Sequence, residues 1–466
     1  MLKPEVFFSP ITALAPEIRA GRMSPVELAE GFLARIESHN DRFHAYERVT
    51  RELALEQAKQ AASEIKAGRY KGLLHGVPYA AKDLLDTQGI ATAWGTRFLR
   101  GRVPSEDATV VRLLREAGAV LLGKAAMVEF AGCLGYRFAD ASASGPGRNP
   151  WDPSRWTGGS SSGSGAAVAA GLASFAIGTE TWGSILCPAA FCGLTGFRPT
   201  YGVVSRAGGM VGAYTFDKIG PLARSAADCR AVLAAIHAPD DRDPSMAAVK
   251  LDFSPPRARK ERPLRIGRVA LDWSKTGESE VRAAFEAAVV SLRAMGLTIE
   301  EAILPEYPAS EVAGTLITVE ALSTFETFFD DGRVSQLVDP LAPRQRELAA
   351  PITGADTIKA IRMRRELQTT MAEWFEKIDV IVTPNFKSVA PPLAMDLYEA
   401  LPYGDPVGAI SAACGLPGLA MPAGFGTNRM PCGFQMVAAP FEDASLLALG
   451  ERFQQRTTHH LQHPVV

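Results

Sequence analysis

Residues 156–197 read WTGGSSSGSGAAVAAGLASFAIGTETWGSILCPAAFCGLTGF, and this stretch decides the fold. Glu180 is its only charged residue, and Thr157 to Thr179 carries none. Length alone would allow a membrane-spanning helix. The opening GGSSSGSG is too polar for lipid, however, and Pro188 with five further glycines breaks the remainder. The run therefore reads as buried core beside a loop. Gly158–Gly171 is no ordinary flexible linker, because it is joined directly to an apolar helix start at Ala166–Ala170. Leu172–Ile177 then reads as a buried strand, with Thr179–Ile185 forming the turn after it.

Outward from this stretch, short apolar strands alternate with helices. Gly76–Ala81 is a predicted strand ending at Lys82-Asp83, and a helix over Thr109–Ala117 leads into strand Ala119–Leu122. Leu264–Val269 and Thr298–Leu304 are strands around a helix with the stripe Val281, Phe285, Val289 and Leu292. Near the end, IDVIVTP (378–384) and LAMPAGF (419–425) are strands again. Such alternation predicts an α/β fold with helices on both faces of a sheet. Residues 1–70 read as N-terminal helices packed on that core. Ser24-Pro25-Val26-Glu27 has the form of a capping box, followed by Leu28, Phe32 and Ile36, with a second helix over 51–65. The Pro- and Asp-rich 239–263 reads as a linker, and 305–378 as a mostly helical region on the substrate side.

Composition narrows the function. The chain has 466 residues, 47% hydrophobic and 21% charged, so it carries ample material for a large core. Lys+Arg at 49 against Asp+Glu at 51 gives a formal charge of −2, which argues against a nucleic-acid surface. Six cysteines without a CxxC pair fit neither a disulfide scaffold nor a tetrahedral zinc site. MLKPEVFFSP lacks the apolar stretch of a secretory signal, so the expected compartment is the cytoplasm, with no membrane partner.

The Gly/Ser loop admits three chemical readings. A phosphate cradle lacks the Lys-Ser/Thr of a P-loop. A nucleophile elbow matches Gly159-Ser160-Ser161-Ser162-Gly163 formally, but no buried strand precedes it and no histidine is placed to serve it. The third reading joins the loop to Ser184, presented at a strand end, and to Lys82, which ends another apolar strand. A desolvated lysine has a lowered pKa, and its neutral amine is a competent general base. The competing reading of Lys82 is a surface lysine paired with Asp83.

These residues make the chain resemble the amidase signature hydrolases. The likeness runs through Gly76-Val77-Pro78, Lys82-Asp83, Gly158–Gly163, Gly178-Thr179, Thr181, Gly183-Ser184-Ile185, Pro188–Gly193, Arg198–Gly202, Ile219-Gly220-Pro221 and Gly415-Leu416-Pro417. Ser160 and Ser184 are 24 residues apart, as in family members, and the motifs occur in order over about 24–455. The resemblance implies one domain over 1–466, built on a large twisted mixed β-sheet with helices on both faces. It implies a Ser-Ser-Lys triad: Ser184 as acyl nucleophile, Ser160 after a cis peptide as proton relay, Lys82 as base. Backbone N–H groups of Thr181, Trp182 and Gly183, with Ser184 itself, would bind the oxyanion, and Leu134 and Tyr136 would lie near the leaving group. No metal or cofactor is implied. The implied partner is a small-molecule substrate, with a homodimer left open.

Three departures shape the expected substrate. Trp182 replaces the usual glycine, so its φ should be negative and its ring should shape the acyl pocket. Glu180 replaces the usual Asp. Leu186 and Cys187 stand where many members carry an Arg for a substrate carboxylate. The expected activity is hydrolysis of the C–N bond of a neutral, fairly apolar amide, aryl or alkyl, with carbamates and esters in chemical reach. The alternative is the catalytic A subunit of a tRNA-dependent amidotransferase, and a non-catalytic scaffold is a third class.

Overall fold

Strands that read as unbroken apolar runs are buried on both faces, and here they sit inside one sheet of eleven strands among the described residues. The computed structural model describes residues 2–254, 264–274, 277–401 and 404–466. In chain order the strands are β1 (Tyr46–Val49), β2 (Pro78–Lys82), β3 (Val120–Ala125), β4 (Phe175–Glu180), β5 (Thr195–Arg198) and β6 (Lys218–Ala223). They continue with β7 (Arg265–Val269), β8 (Thr298–Ala302), β9 (Val380–Pro384), β10 (Gly418–Phe425) and β11 (Pro431–Ala438). Across the sheet the order is β1-β3-β2-β4-β6-β5-β10-β11-β9-β7-β8. β2 is parallel to β3 and β4, and β7 is parallel to β8 and β9. The other pairs are antiparallel, so the sheet is mixed, as the resemblance implied. A separate two-stranded ladder pairs Arg148–Asn149 with Asp152–Trp156.

The N-terminal helix Pro25–Phe43 buries Leu28, Phe32 and Ile36, as their four-residue spacing requires. Ser24 caps it, but the expected box is not formed. Ser24 Oγ accepts from the Val26 N–H at 3.2 Å, and Glu27 does not reach back. No helix among the described residues is long and apolar enough to cross a membrane.

Around the deciding stretch, two boundaries differ from expectation. The helix begins at Ser162 rather than Ala166, and the strand begins at Phe175 rather than Leu172. Packing is the reason. A Cβ on Gly163 would lie 2.3 Å from Ala45 O, 2.4 Å from Ala126 N and 2.6 Å from Ala126 O. Only a residue without a side chain lets the first turn enter between those backbones, so Gly158–Ser161 is loop and the run from Ser162 is helix.

The expected linker is partly docked. Residues 255–263 lie outside the described residues, but Asp243 is buried and pairs with Arg206, and Asp240 accepts from Ser205 at 2.7 Å. The region 305–378 holds the helices Ala309–Thr324 and Gly354–Phe375, which pack on one another.

Gly163→Ala should destabilise the protein by about 1–3 kcal/mol or more, the range for overpacking a filled core. Urea unfolding midpoints of the two proteins check this.

Candidate active site

Lys82 is the last residue of β2 and is fully buried. Its Nζ lies 2.8 Å from Ser160 Oγ, 2.9 Å from Thr179 Oγ1 and 3.4 Å from Thr179 O. Three partners suit a neutral amine: two N–H groups donate to the Thr179 oxygens, leaving a lone pair for the Ser160 hydroxyl. Burial pushes the Lys82 pKa down to about 7, with the negative charge of Asp217 and Glu180 pulling the other way. Asp83 faces elsewhere. Its Oδ2 accepts from the Ala93 N–H, and its Oδ1 lies 3.8 Å from Lys124 Nζ. The reading of Lys82 as a surface lysine paired with Asp83 is therefore overturned.

Ser160 follows a cis peptide bond from Gly159, and its carbonyl accepts from Val128 N at 3.1 Å. Ser184 sits in the turn after β4, 7% exposed, and faces a cavity. Among the described residues its Oγ has no hydrogen-bond partner, so in this state it is not bonded to Ser160. The N–H groups of Thr181, Trp182, Gly183 and Ser184 likewise have no protein acceptor among the described residues. Four consecutive unpaired donors beside a hydroxyl are the raw material of an oxyanion site.

The turn is held from behind. Glu180 Oε2 accepts from the N–H groups of Ile185 (2.8 Å) and Leu186 (3.0 Å), while Oε1 meets Arg198 at 2.6 Å. Burial alone would raise the Glu180 pKa. Arg198, Lys218 and the backbone donors outweigh it and hold the carboxylate below its usual value. The left-handed position falls on Gly183 (φ +87°), and Trp182 is not among the residues with positive φ. The Trp182 ring lines the cavity and stands against Gly408, where a Cβ would meet Nε1 at 2.5 Å.

The cavity measures about 540 Å³. Tyr136, Trp156, Trp182, Phe386 and Tyr398 form its aromatic walls, and Cys187 lies beside Ser184. Ser310 and Ile317 reach it from the helix Ala309–Thr324. Among the described residues no lysine, arginine or histidine lines it, and Asp405 is the one carboxylate. Burial pushes Asp405 up to about 7, so the cavity is close to uncharged below neutral pH. Tyr136 faces the cavity, but Leu134 does not. The placement of Leu134 at the leaving-group side is corrected: its side chain is 1% exposed within the main core. The backbone turns over at Phe130 and Ala131, both with positive φ, and this sets which residues of the loop point outward.

Residues 27–447 match the family model described as Amidase. The chain belongs to the amidase family. Among curated relatives, the A subunit of the glutamyl-tRNA(Gln) amidotransferase from Chromohalobacter salexigens is 37% identical over 487 residues, covering 97% of this chain and 98% of the relative. Its counterpart from Carboxydothermus hydrogenoformans is 34% identical over 492 residues, covering 99% of each. Among solved structures, the peptide amidase of Stenotrophomonas maltophilia superposes with a TM-score of 0.83 at 31% identity, over 96% of this chain and 97% of that one. A chain from work on the origins of an s-triazine catabolic enzyme gives 0.87 at 28% identity, over 96% and 98%.

Motif reading brought Lys82, Ser160 and the 181–184 turn to one place. It missed Thr179 as the lysine's second partner, although Thr179 stood within a recognised motif. It also missed Asp405, which no local signal marks.

A step that uses the neutral Lys82 amine gains rate as pH rises through about 7, because protonation below that value removes the lone pair. Turnover should show that acid-side limb. Lys82→Met should abolish the limb and lower the rate by roughly 10²–10⁴, the worth of a positioned general base. A pH–rate profile of both proteins checks it.

Proposed function

We propose that the chain hydrolyses the C–N bond of a neutral, fairly apolar small-molecule amide through an acyl-Ser184 intermediate. Ser184 Oγ attacks the carbonyl carbon as its proton passes through Ser160 Oγ to the Lys82 amine. The carbonyl π electrons move to oxygen, and the oxyanion takes the free N–H groups of the 181–184 turn. Collapse breaks the C–N bond, and the proton held by Lys82 returns through Ser160 to the leaving nitrogen. Water then attacks the acyl-serine by the same path and releases the carboxylic acid. Ser184 Oγ must close on Ser160 Oγ for this, and such contacts tighten when substrate seats. The observation that carries the reading is the buried Lys82 amine, shared between Ser160 and Thr179. The aromatic walls and the lack of a lining cation among the described residues support a neutral acyl group and disfavour a free carboxylate.

A second reading is the A subunit of a tRNA-dependent amidotransferase. The names of the sequence relatives favour it over the stand-alone hydrolase. A glutamine substrate would bring a carboxylate into a cavity that has no cation among the described residues to receive it, and this favours the hydrolase.

Ser184→Ala should eliminate both turnover and covalent labelling by a fluorophosphonate, read by intact-protein mass spectrometry. Labelling that persists would move the nucleophile, with Ser161 the next serine to replace. A panel of neutral anilides, alkyl amides, carbamates and glutamine separates the two readings. Turnover of the neutral amides with glutamine inert supports the hydrolase, whereas glutaminase activity without anilide cleavage supports the amidotransferase.

A further inference from the structure

Behind the 181–184 turn lies a pair of residues that the proton path does not use. β6 begins at Lys218, which stands opposite Glu180 of β4 in the ladder. Lys218 is 2% exposed. Its Nζ donates to Thr181 O at 3.2 Å, its one hydrogen-bond acceptor among the described residues, and no carboxylate of those residues lies within ion-pair distance. The neighbouring Asp217 accepts the Thr181 hydroxyl proton on Oδ1 and the N–H groups of Gly212 (2.7 Å) and Ala213 (3.1 Å) on Oδ2. Thr181 is thus gripped at its carbonyl and its hydroxyl by consecutive residues.

A trans peptide is planar, with its C=O and N–H pointing in opposite directions. Gly159–Ser160 is the one cis bond among the described residues, so the Thr181–Trp182 peptide is trans. With its oxygen drawn to Lys218, that peptide must aim the Trp182 N–H away from Lys218. The next peptide but one is set similarly: Gly183 O accepts from Cys187 N at 2.7 Å, which turns the Ser184 N–H away from the helix. The two devices differ in charge. An ammonium donor polarises the peptide it holds and makes its N–H a stronger donor, which a neutral backbone N–H does far less.

We propose that Lys218 is a positioning residue of the oxyanion site, orienting and polarising the Thr181–Trp182 peptide so that the Trp182 N–H meets the developing oxyanion. The inference rests on the acyl-Ser184 reading above.

It has a pH signature. Burial and the Arg198 guanidinium push the Lys218 pKa down to about 7, against Glu180 and Asp217, which favour the ammonium; Arg364 adds to the lowering. These groups face Lys218 from β5, β4, its own strand's start and the helix Gly354–Phe375. Lys218 polarises the peptide only when protonated, so its contribution falls as pH rises. Lys82 acts only when neutral, so its contribution rises. The wild-type kcat profile should be a bell whose alkaline limb belongs to Lys218.

The test compares Lys218→Met and Lys218→Gln with wild type on whichever amide is turned over best, with active sites counted by fluorophosphonate titration. Met should lower kcat per active site by about tenfold or more while KM stays within about twofold, and the alkaline limb should vanish with the acid limb intact. Gln keeps a donor without the charge, so it should recover part of kcat and still lack the alkaline limb. If the Met protein does not fold, the Gln profile decides. Wild-type kcat per active site in either folded variant, or a surviving alkaline limb, overturns the proposal. Ser184→Ala run alongside separates the failures: a dead Ser184→Ala with an unaffected Lys218→Met sinks Lys218 alone, and an active Ser184→Ala sinks the underlying reading.

Discussion

Everything in the site depends on an amine kept out of water. Nζ of Lys82 has no solvent access, and its partners are a hydroxyl and a carbonyl from Thr179 and the hydroxyl of Ser160. None of these carries a charge, so nothing at hydrogen-bonding distance repays the desolvation of an ammonium. The one carboxylate next to it in sequence, Asp83, is turned toward a different buried lysine, Lys124. Two adjacent strands therefore carry two buried lysines in different electrostatic settings. Lys124 has Asp83 nearby and is pushed down only to about 8, whereas Lys82 reaches about 7.

The same division recurs around the nucleophile. Behind the 181–184 turn Glu180 meets Arg198 and Asp217 accepts three donors, whereas the four N–H groups of the turn itself have no protein acceptor among the described residues. Glu180 and Arg198 form a desolvated ion pair, which is stable only because the remaining lone pairs of Glu180 take two backbone N–H groups. That arrangement holds the start of the helix Leu186–Cys192 and with it the position of Ser184. One carboxylate oxygen of Glu180 satisfies both donors. A turn braced from the rear needs no reorganisation when charge develops at its front, which is the condition for strong electrostatic stabilisation.

Membership in the amidase family leaves the substrate undecided, because one fold serves relatives named as glutamyl-tRNA(Gln) amidotransferase A subunits and a neighbour named as a peptide amidase. The cavity carries that information. Its walls come from separate parts of the chain: the loop around Tyr136, the ladder at Trp156, the 181–187 turn, the helix Ala309–Thr324, Phe386, and the stretch that supplies Leu397, Tyr398 and Asp405. Trp182, seated against Gly408, narrows the space beside the nucleophile turn.

How much of this was legible in the sequence depends on the range of the interactions involved. Lys82 at a strand end, Ser184 in a turn, and the helices of residues 25–66 are local features, set by hydrophobic period, glycine and capping groups. They could be read from neighbouring residues. The start of the helix at Ser162 could not, because it depends on the closeness of the Ala45 and Ala126 backbones to Gly163. Leu134 and Tyr136 are two positions apart, and the left-handed turn at Phe130–Ala131, together with the aromatic cluster holding Phe130, sends one inward and the other to the cavity. The Lys218–Thr181 contact comes from antiparallel register between β4 and β6, and Asp405 reaches the cavity from more than two hundred residues beyond Ser184. Short-range sequence determined which residues could do chemistry and the elements that bear them. Tertiary packing alone decided which of them face one another, because burial and cross-strand register depend on segments far apart in the chain.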